Sequence, residues 1–207
     1  MEVECLIQFK SESMNKRCIA LMVVFFPVCI LAQTSKIDTT VLIGKIGYRV
    51  RCNNKNPDNN LASIKLVGFT NARDPEFFVK GVIKQAAIDD FNNDGFPDLM
   101  MNVYNGPNEM YGNVIALVSN ENKSVSFVSF PDILNDPKLR DGYKGQDHFQ
   151  LMEGLLMRNF PLYSSNDSTA SYTGKKRFIQ YQLQKGEGDR LSFKPMHTYE
   201  VASTNPN

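Results

Sequence analysis

Tryptophan is absent from this 207-residue chain, and histidine appears only twice. Neither sign of charge is in excess: 23 Lys and Arg stand against 22 Asp and Glu, a net of +1. A nucleic-acid binder that works through a basic surface needs a clear positive balance, and an acidic solvating tail needs the opposite. Neither class fits. Disorder fits no better, because 42% of positions are hydrophobic and only 22% are charged. Helical stripes of apolar residues are missing, and so is any fixed-period repeat, which argues against solenoids and propellers. The length suits one domain with a real core.

Cysteine is sparse and unevenly placed. Cys5, Cys18 and Cys29 fall in the first 32 residues, leaving Cys52 alone in the remainder. Met14-Asn15-Lys16-Arg17 is a short basic stretch, followed by an apolar run from Cys18 to Leu31 that Pro27 interrupts, then Ala32-Gln33-Thr34-Ser35. This is the layout of a secretory signal peptide cleaved after Ala32, too short for a confident membrane span. Glu2, Glu4 and Glu12 ahead of the basic stretch suggest that translation starts at Met14. Cys29 raises a lipoprotein alternative, but Phe26-Pro27-Val28 lacks the small residue a lipidation box needs. The expectation is therefore an extension and signal peptide over 1–32 and one domain over 33–207. It is periplasmic or secreted, in a Gram-negative bacterium, with no stable membrane insertion after cleavage. Cleavage removes three basic and three acidic residues, so the balance is unchanged. Cys52 cannot form an intrachain bridge there, and its place on the Tyr48, Val50, Cys52 face reads as a buried thiol.

Period-two alternation dominates the chain beyond residue 47. Tyr48, Val50 and Cys52 mark one strand, and Ile64 with Leu66 another. Val82 to Ile88, Leu99 to Tyr104, Val114 to Val118 and Val125 to Phe130 continue the series between Gly, Asn and Pro breaks. Ile179, Tyr181 and Leu183 alternate with Gln180, Gln182 and Gln184, while Phe149 to Leu156 is ambiguous between strand and helix. About eight short strands predict an all-β fold, an antiparallel β-sandwich, with a closed barrel as the other solution.

The strongest chemical signal is the run Asp90-Phe91-Asn92-Asn93-Asp94-Gly95-Phe96-Pro97-Asp98. Oxygen side chains at Asp90, Asn92, Asp94 and Asp98, with the Phe96 carbonyl, have the spacing of a Ca²⁺ loop, and Gly95 permits the sharp turn. An EF-hand would place Glu where Met101 stands, and the flanking alternation argues for strand–loop–strand. The alternative is an Asx-rich turn without metal. The expected cofactor is Ca²⁺ in a structural role.

Several more motifs occur in order along the chain. They are Asn108-Glu109-Met110-Tyr111-Gly112, Gly142-Tyr143-Lys144-Gly145-Gln146-Asp147-His148-Phe149, Glu153-Gly154 and Arg158-Asn159-Phe160-Pro161-Leu162-Tyr163. Asp167, Thr173-Gly174, Arg177 and Gln180-Tyr181-Gln182-Leu183 complete the set. Their order and spacing, from about Ile88 to Leu183, resemble the periplasmic inhibitors of invertebrate-type (i-type) lysozyme and related calcium-loop immunity proteins. The resemblance implies a secreted β-sandwich that inserts a loop into the cleft of a lysozyme-like peptidoglycan hydrolase. In those inhibitors a Ser-Gly-Ser-Tyr segment performs the insertion. Asn108, Glu109, Met110 and Tyr111 occupy that place here, with Tyr111 and Asn108 as hydrogen-bond donors to carboxylates and Glu109 as a departure in charge. Tyr143 and Lys144 form a possible second contact.

An enzyme is the less economical reading. Asp147, His148 and Glu153 mimic an acid–base cluster, but no nucleophile signature accompanies them. Arg158 and Arg177 read as ion-pair partners of Asp147 or Glu153. The expectation is a non-enzymatic inhibitor with a protein partner and no nucleic acid, its oligomeric state open. Alternatives are a calcium-dependent adhesion module of the cell envelope, or an immunity protein against a secreted toxin.

Overall fold

The computed structural model describes residues 36–164, 170–186, 188 and 190–204. The expectations about Met14, Cys29, the signal peptide and Asp167 lie outside the described residues. Among the described residues no helix is long and apolar enough to cross a membrane.

Among the described residues the chain is all-β, and its strands follow one another as three antiparallel four-stranded sheets. The first sheet is β1 (Ile37–Ile43), β2 (Ile46–Cys52), β3 (Asn60–Val67) and β4 (Glu76–Val79). The middle sheet is β5 (Val82–Asp89), β6 (Asp98–Asn105), β7 (Tyr111–Asn120) and β8 (Ser124–Val128). The third is β9 (His148–Met152), β10 (Leu155–Tyr163), β11 (Tyr172–Lys185) and β12 (Leu191–Ala202). Each sheet keeps its strands in chain order, so every neighbour is reached by a short connection. Among the described residues the expected eight strands become twelve. The missing fixed repeat does not prevent a repeated meander, because a strand's alternation carries no mark of which sheet it joins.

The alternation read from the sequence is the alternation of burial. On β2 and β3, Tyr48, Val50, Cys52, Ala62, Ile64 and Leu66 are buried in one cluster, while Arg49, Arg51 and Lys65 are exposed. The middle sheet behaves differently because both of its faces are covered. Leu99, Met101 and Val103 on β6 and Leu117 on β7 pack with the first sheet. Met100, Val114, Ala116 and Val118 turn the other way, against Leu156, Phe160, Ile179 and Tyr181 of the third. Two-sided burial removes polar residues from both parities, so β6 reads as a near-continuous apolar run. Truncating Leu99, fully buried at the centre, would cost about 2–5 kcal/mol.

The ambiguous segment Phe149 to Leu156 resolves into a hairpin. β9 ends at Met152 and β10 begins at Leu155, paired directly across the turn Glu153-Gly154. Both turn residues have positive φ, 50° and 76°, the geometry whose twist matches the flanking strands. Cys52 is buried and free, and burial pushes its thiol pKa up.

Candidate functional site

The connection from β6 to β7 carries the expected contact segment. It is a single 3₁₀ turn over Pro107–Glu109, in which Asn108 and Glu109 both take left-handed φ values of 52° and 56°. Asn tolerates that region, but Glu does so only when its surroundings hold it. Here Glu109 is held by an ion pair to Lys84 Nζ at 2.6 Å. Tyr111 opens β7 and keeps 38% of its surface exposed. Its ring packs over Gly106, where a Cβ would come within 2.6 Å of the ring. Only glycine permits that approach, at a φ of 77°.

The second candidate segment lies beside the first. Gln146 donates its backbone N–H to the Met110 carbonyl at 2.6 Å. Gly145 faces the same carbonyl so closely that a Cβ would sit 2.5 Å from it. The structure thus brings Asn108–Tyr111 and residues 142–147 together, although the sequence separates them by more than thirty positions. Tyr143, however, is not a surface contact. It is buried beneath Tyr111, with ring centroids 6.2 Å apart, and its hydroxyl donates to Asp147 Oδ2 at 2.6 Å. Lys144 remains exposed.

Beneath both loops is a buried ion pair. Arg158 Nε bonds Asp147 Oδ1 at 2.7 Å, with both side chains almost wholly removed from solvent. Asp147 Oδ2 also accepts from the Gly112 N–H at 2.7 Å, and Arg158 Nη2 donates to the Tyr143 hydroxyl at 3.1 Å. The guanidinium lies 5.3 to 6.0 Å from the rings of Tyr143, Phe149, Phe160 and Phe130. Burial works against the Arg158 charge, but attraction and hydrogen bonding to Asp147 more than offset it, so its pKa is raised. The same burial, reinforced by Asp147, pushes the Tyr143 hydroxyl far above its ordinary value. Breaking one partner of such a pair strands the other charge, at a cost of about 3–5 kcal/mol. The pair ties β7 of the middle sheet to β10 of the third at the point where the Tyr111 loop emerges.

Arg177 performs a related task. Its Nη1 donates to the carbonyls of Lys138, Leu139 and Asp141 at 3.0, 2.9 and 2.9 Å, and its Nη2 pairs with Glu200 at 2.8 Å. It holds the irregular segment before Tyr143 against β11. The expected partners were Asp147 or Glu153. Arg158 takes Asp147, Arg177 takes Glu200, and Glu153 lies in the β9–β10 turn. Asp147 is committed to this framework and His148 is exposed, so the two do not form an acid–base pair.

Between the Tyr111 loop and the segment Pro131–Leu134 is a cleft of about 260 Å³. Tyr111 and Leu134, both exposed, flank its mouth, while Ile133, Tyr143 and Arg158 contribute to its wall. Neither this cleft, nor Lys84, nor the reach of Arg177 is legible in the sequence, since each depends on residues far apart in the chain.

The acidic loop is a separate feature, at the opposite end of β6. Asp90 accepts from the N–H groups of Asp94 and Gly95 at 3.0 and 2.8 Å. Asn92 Nδ2 donates to Asp94 Oδ2 at 2.8 Å, and Asp94 Oδ1 accepts from Phe96 N–H at 2.9 Å. Asp98 is fully buried, and its two oxygens accept from Phe91 N–H and Ser119 N–H at 2.9 and 2.8 Å. Burial, with repulsion from Asp94 and Asp90, raises its pKa to about 7. Among the described residues no three His, Cys, Asp or Glu side chains gather closely enough to hold a metal ion. The loop closes on itself through Asx turns, in which its side-chain oxygens accept from backbone N–H groups of the same loop.

A comparison with protein-family models found no match, and a comparison with curated proteins found none either.

Proposed function

We propose that this chain is a secreted inhibitor of a lysozyme-like peptidoglycan hydrolase, with Tyr111 as the residue that enters the enzyme's cleft. The observation that carries the reading is the pairing of exposure with rigidity. Tyr111 is presented to solvent on a strained turn whose base is locked by the buried Asp147–Arg158–Tyr143 cluster. A preorganised projecting side chain loses little entropy on docking, the main route by which a small contact patch reaches high affinity. The departure at Glu109 also becomes tractable. Its carboxylate is paired with Lys84, so an acidic glycosidase cleft does not meet an isolated negative charge.

In this mechanism the Tyr111 hydroxyl donates to a catalytic carboxylate of the hydrolase, and the Asn108 amide donates to a second. Lys144, exposed on the adjoining loop, adds a cation at the rim, where it steers association more than it strengthens the complex. Two antiparallel sheets packed on a shared middle one serve as the rigid support, in keeping with the sandwich of the resembled family. Calcium at Asp90, Asn92, Asp94, Phe96 and Asp98 belongs to the same proposal as a brace for the start of β6. Its support is the burial of Asp98, which raises the cost of an uncompensated negative charge there.

The test is titration of a panel of i-type and other muramidases with the purified protein, followed by Tyr111→Ala and Tyr111→Phe. Stoichiometric 1:1 loss of hydrolase activity is expected. Tyr111→Ala should weaken inhibition by two orders of magnitude or more on the ~3 kcal/mol scale of an interface hot spot. Full activity of every enzyme in the panel, or inhibition indifferent to Tyr111, would refute the reading.

A further inference from the structure

The last strand is the oddest part of the molecule. Nine consecutive residues of β12, Lys194 to Ala202, are exposed, although they pair with β11 along one edge. Among the described residues nothing pairs with the other edge beyond Phe193, whose N–H is the last to find a partner there, the Ser129 carbonyl at 3.1 Å. A free strand edge is a template for another strand, and folded proteins ordinarily blunt it with Lys, Pro or a bulge. Lys194, Pro195 and the register shift beside Tyr181 protect only the beginning of this one. From His197 to Ala202 the sole charge is Glu200, and it is engaged by Arg177 and Lys175. Tyr199 and Val201 are nearly half exposed on the same face.

We propose that His197–Val201 pairs antiparallel with the same segment of a second copy, about a two-fold axis at Tyr199, joining two third sheets into one of eight strands. The register follows from side-chain chemistry. A two-fold at Tyr199 sets Tyr199 against Tyr199, Thr198 against Glu200 and His197 against Val201. Moving the axis one residue to Glu200 sets two carboxylates face to face. The ring geometry selects the same centre. Phe178 and Tyr199 stack with planes 4° apart and centroids 5.3 Å apart. The sheet ends at Tyr199, so that stack stops at the edge. Across the two-fold it continues as Phe178, Tyr199, Tyr199, Phe178. An isologous contact of this kind closes on itself and ends at the dimer. The Tyr111 loop belongs to other strands, so this inference does not depend on the inhibitory reading.

The experiment uses the full chain as purified. Sedimentation velocity over about 1 to 200 μM should show a monomer–dimer equilibrium. Tyr199→Lys should leave a monomer with an unchanged circular dichroism spectrum. If Tyr199→Lys loses the native spectrum, Val201→Lys replaces it with the same expectation. Under mild oxidation Tyr199→Cys should cross-link, because residues opposed across such a pair have Cα atoms about 4.5–5.5 Å apart, within disulfide reach. Lys194→Cys should not, since ten strand residues at about 3.4 Å each separate its two copies. A protein that stays monomeric throughout overturns the proposal. So does a dimer that survives the lysine variant, or one that cross-links as readily at 194 as at 199.

Discussion

Asp98 and Asp147 are both buried carboxylates, and they are kept in opposite ways. Asp147 has a guanidinium against it, a tyrosine hydroxyl and a backbone N–H. Asp98 has two backbone N–H groups and, among the described residues, no cation, and its pKa rises to about 7. Hydrogen bonds alone do not repay the loss of water around a charge, whereas hydrogen bonds with a counter-ion do. The first arrangement is permanent scaffolding. The second leaves a position whose charge responds to its surroundings.

The largest effect should come from breaking the paired site. Arg158→Ala leaves Asp147 buried without its cation and removes packing among four rings. A loss of about 3–5 kcal/mol in urea unfolding is expected. A loss under about 1 kcal/mol would mean that Asp147 is sustained by its hydrogen bonds alone, as Asp98 is. Arg158→Met with Asp147→Leu, which removes both charges together, should recover much of the loss.

The unpaired site should announce itself through pH. The folded pKa of Asp98 stands near 7 against an ordinary 3.8. Between those values the native state holds a proton that the unfolded chain has released. The contribution of this group is therefore whole below 3.8 and is lost as pH rises through 7. With chelator present, the melting temperature should fall by a few degrees between about pH 5 and 8. Millimolar Ca²⁺ should flatten that slope if the loop binds it, and an identical slope in Ca²⁺ and chelator would argue against the metal. Asp94→Asn removes one of the charges that disfavour ionisation of Asp98. The pH slope should become shallower, with a change near neutrality of less than about 1 kcal/mol.

The smallest effect belongs to Lys84→Gln, which releases Glu109. The pair is more than a third exposed, so stability should shift by less than about 0.5 kcal/mol. Its consequence should appear in binding, as a slower association with an acidic target, measurable by stopped flow.

The strands that alternate were legible, and the reason is that one of their faces is buried. β2, β3 and β11 could be read directly from Tyr48 to Cys52, Ile64 to Leu66 and Ile179 to Leu183. β12 escaped because its second half is exposed throughout, leaving burial no pattern to impress on it. β4 escaped because four residues are too few to show a period. The apolar run Leu99 to Val103 did hold a clue to the third sheet, since a strand covered on one face would not carry Met100 between Leu99 and Met101. The acidic loop was readable as a turn, but the direction of Asp98 was not. Ser119, its partner, stands 21 positions away on β7.

Local chemistry in the chain was enough to specify an all-β protein, its turn residues and two loops worth attention. Those properties arise from backbone preference and a two-residue period, which neighbouring residues express by themselves. A middle sheet covered on both faces, a counter-ion for Asp147 but none among the described residues for Asp98, and the meeting of the Tyr111 loop with residues 142–147 arose only on folding. Each depends on which distant segments share the low-dielectric interior, and there the placement of one guanidinium decides whether a buried carboxylate has a counter-ion.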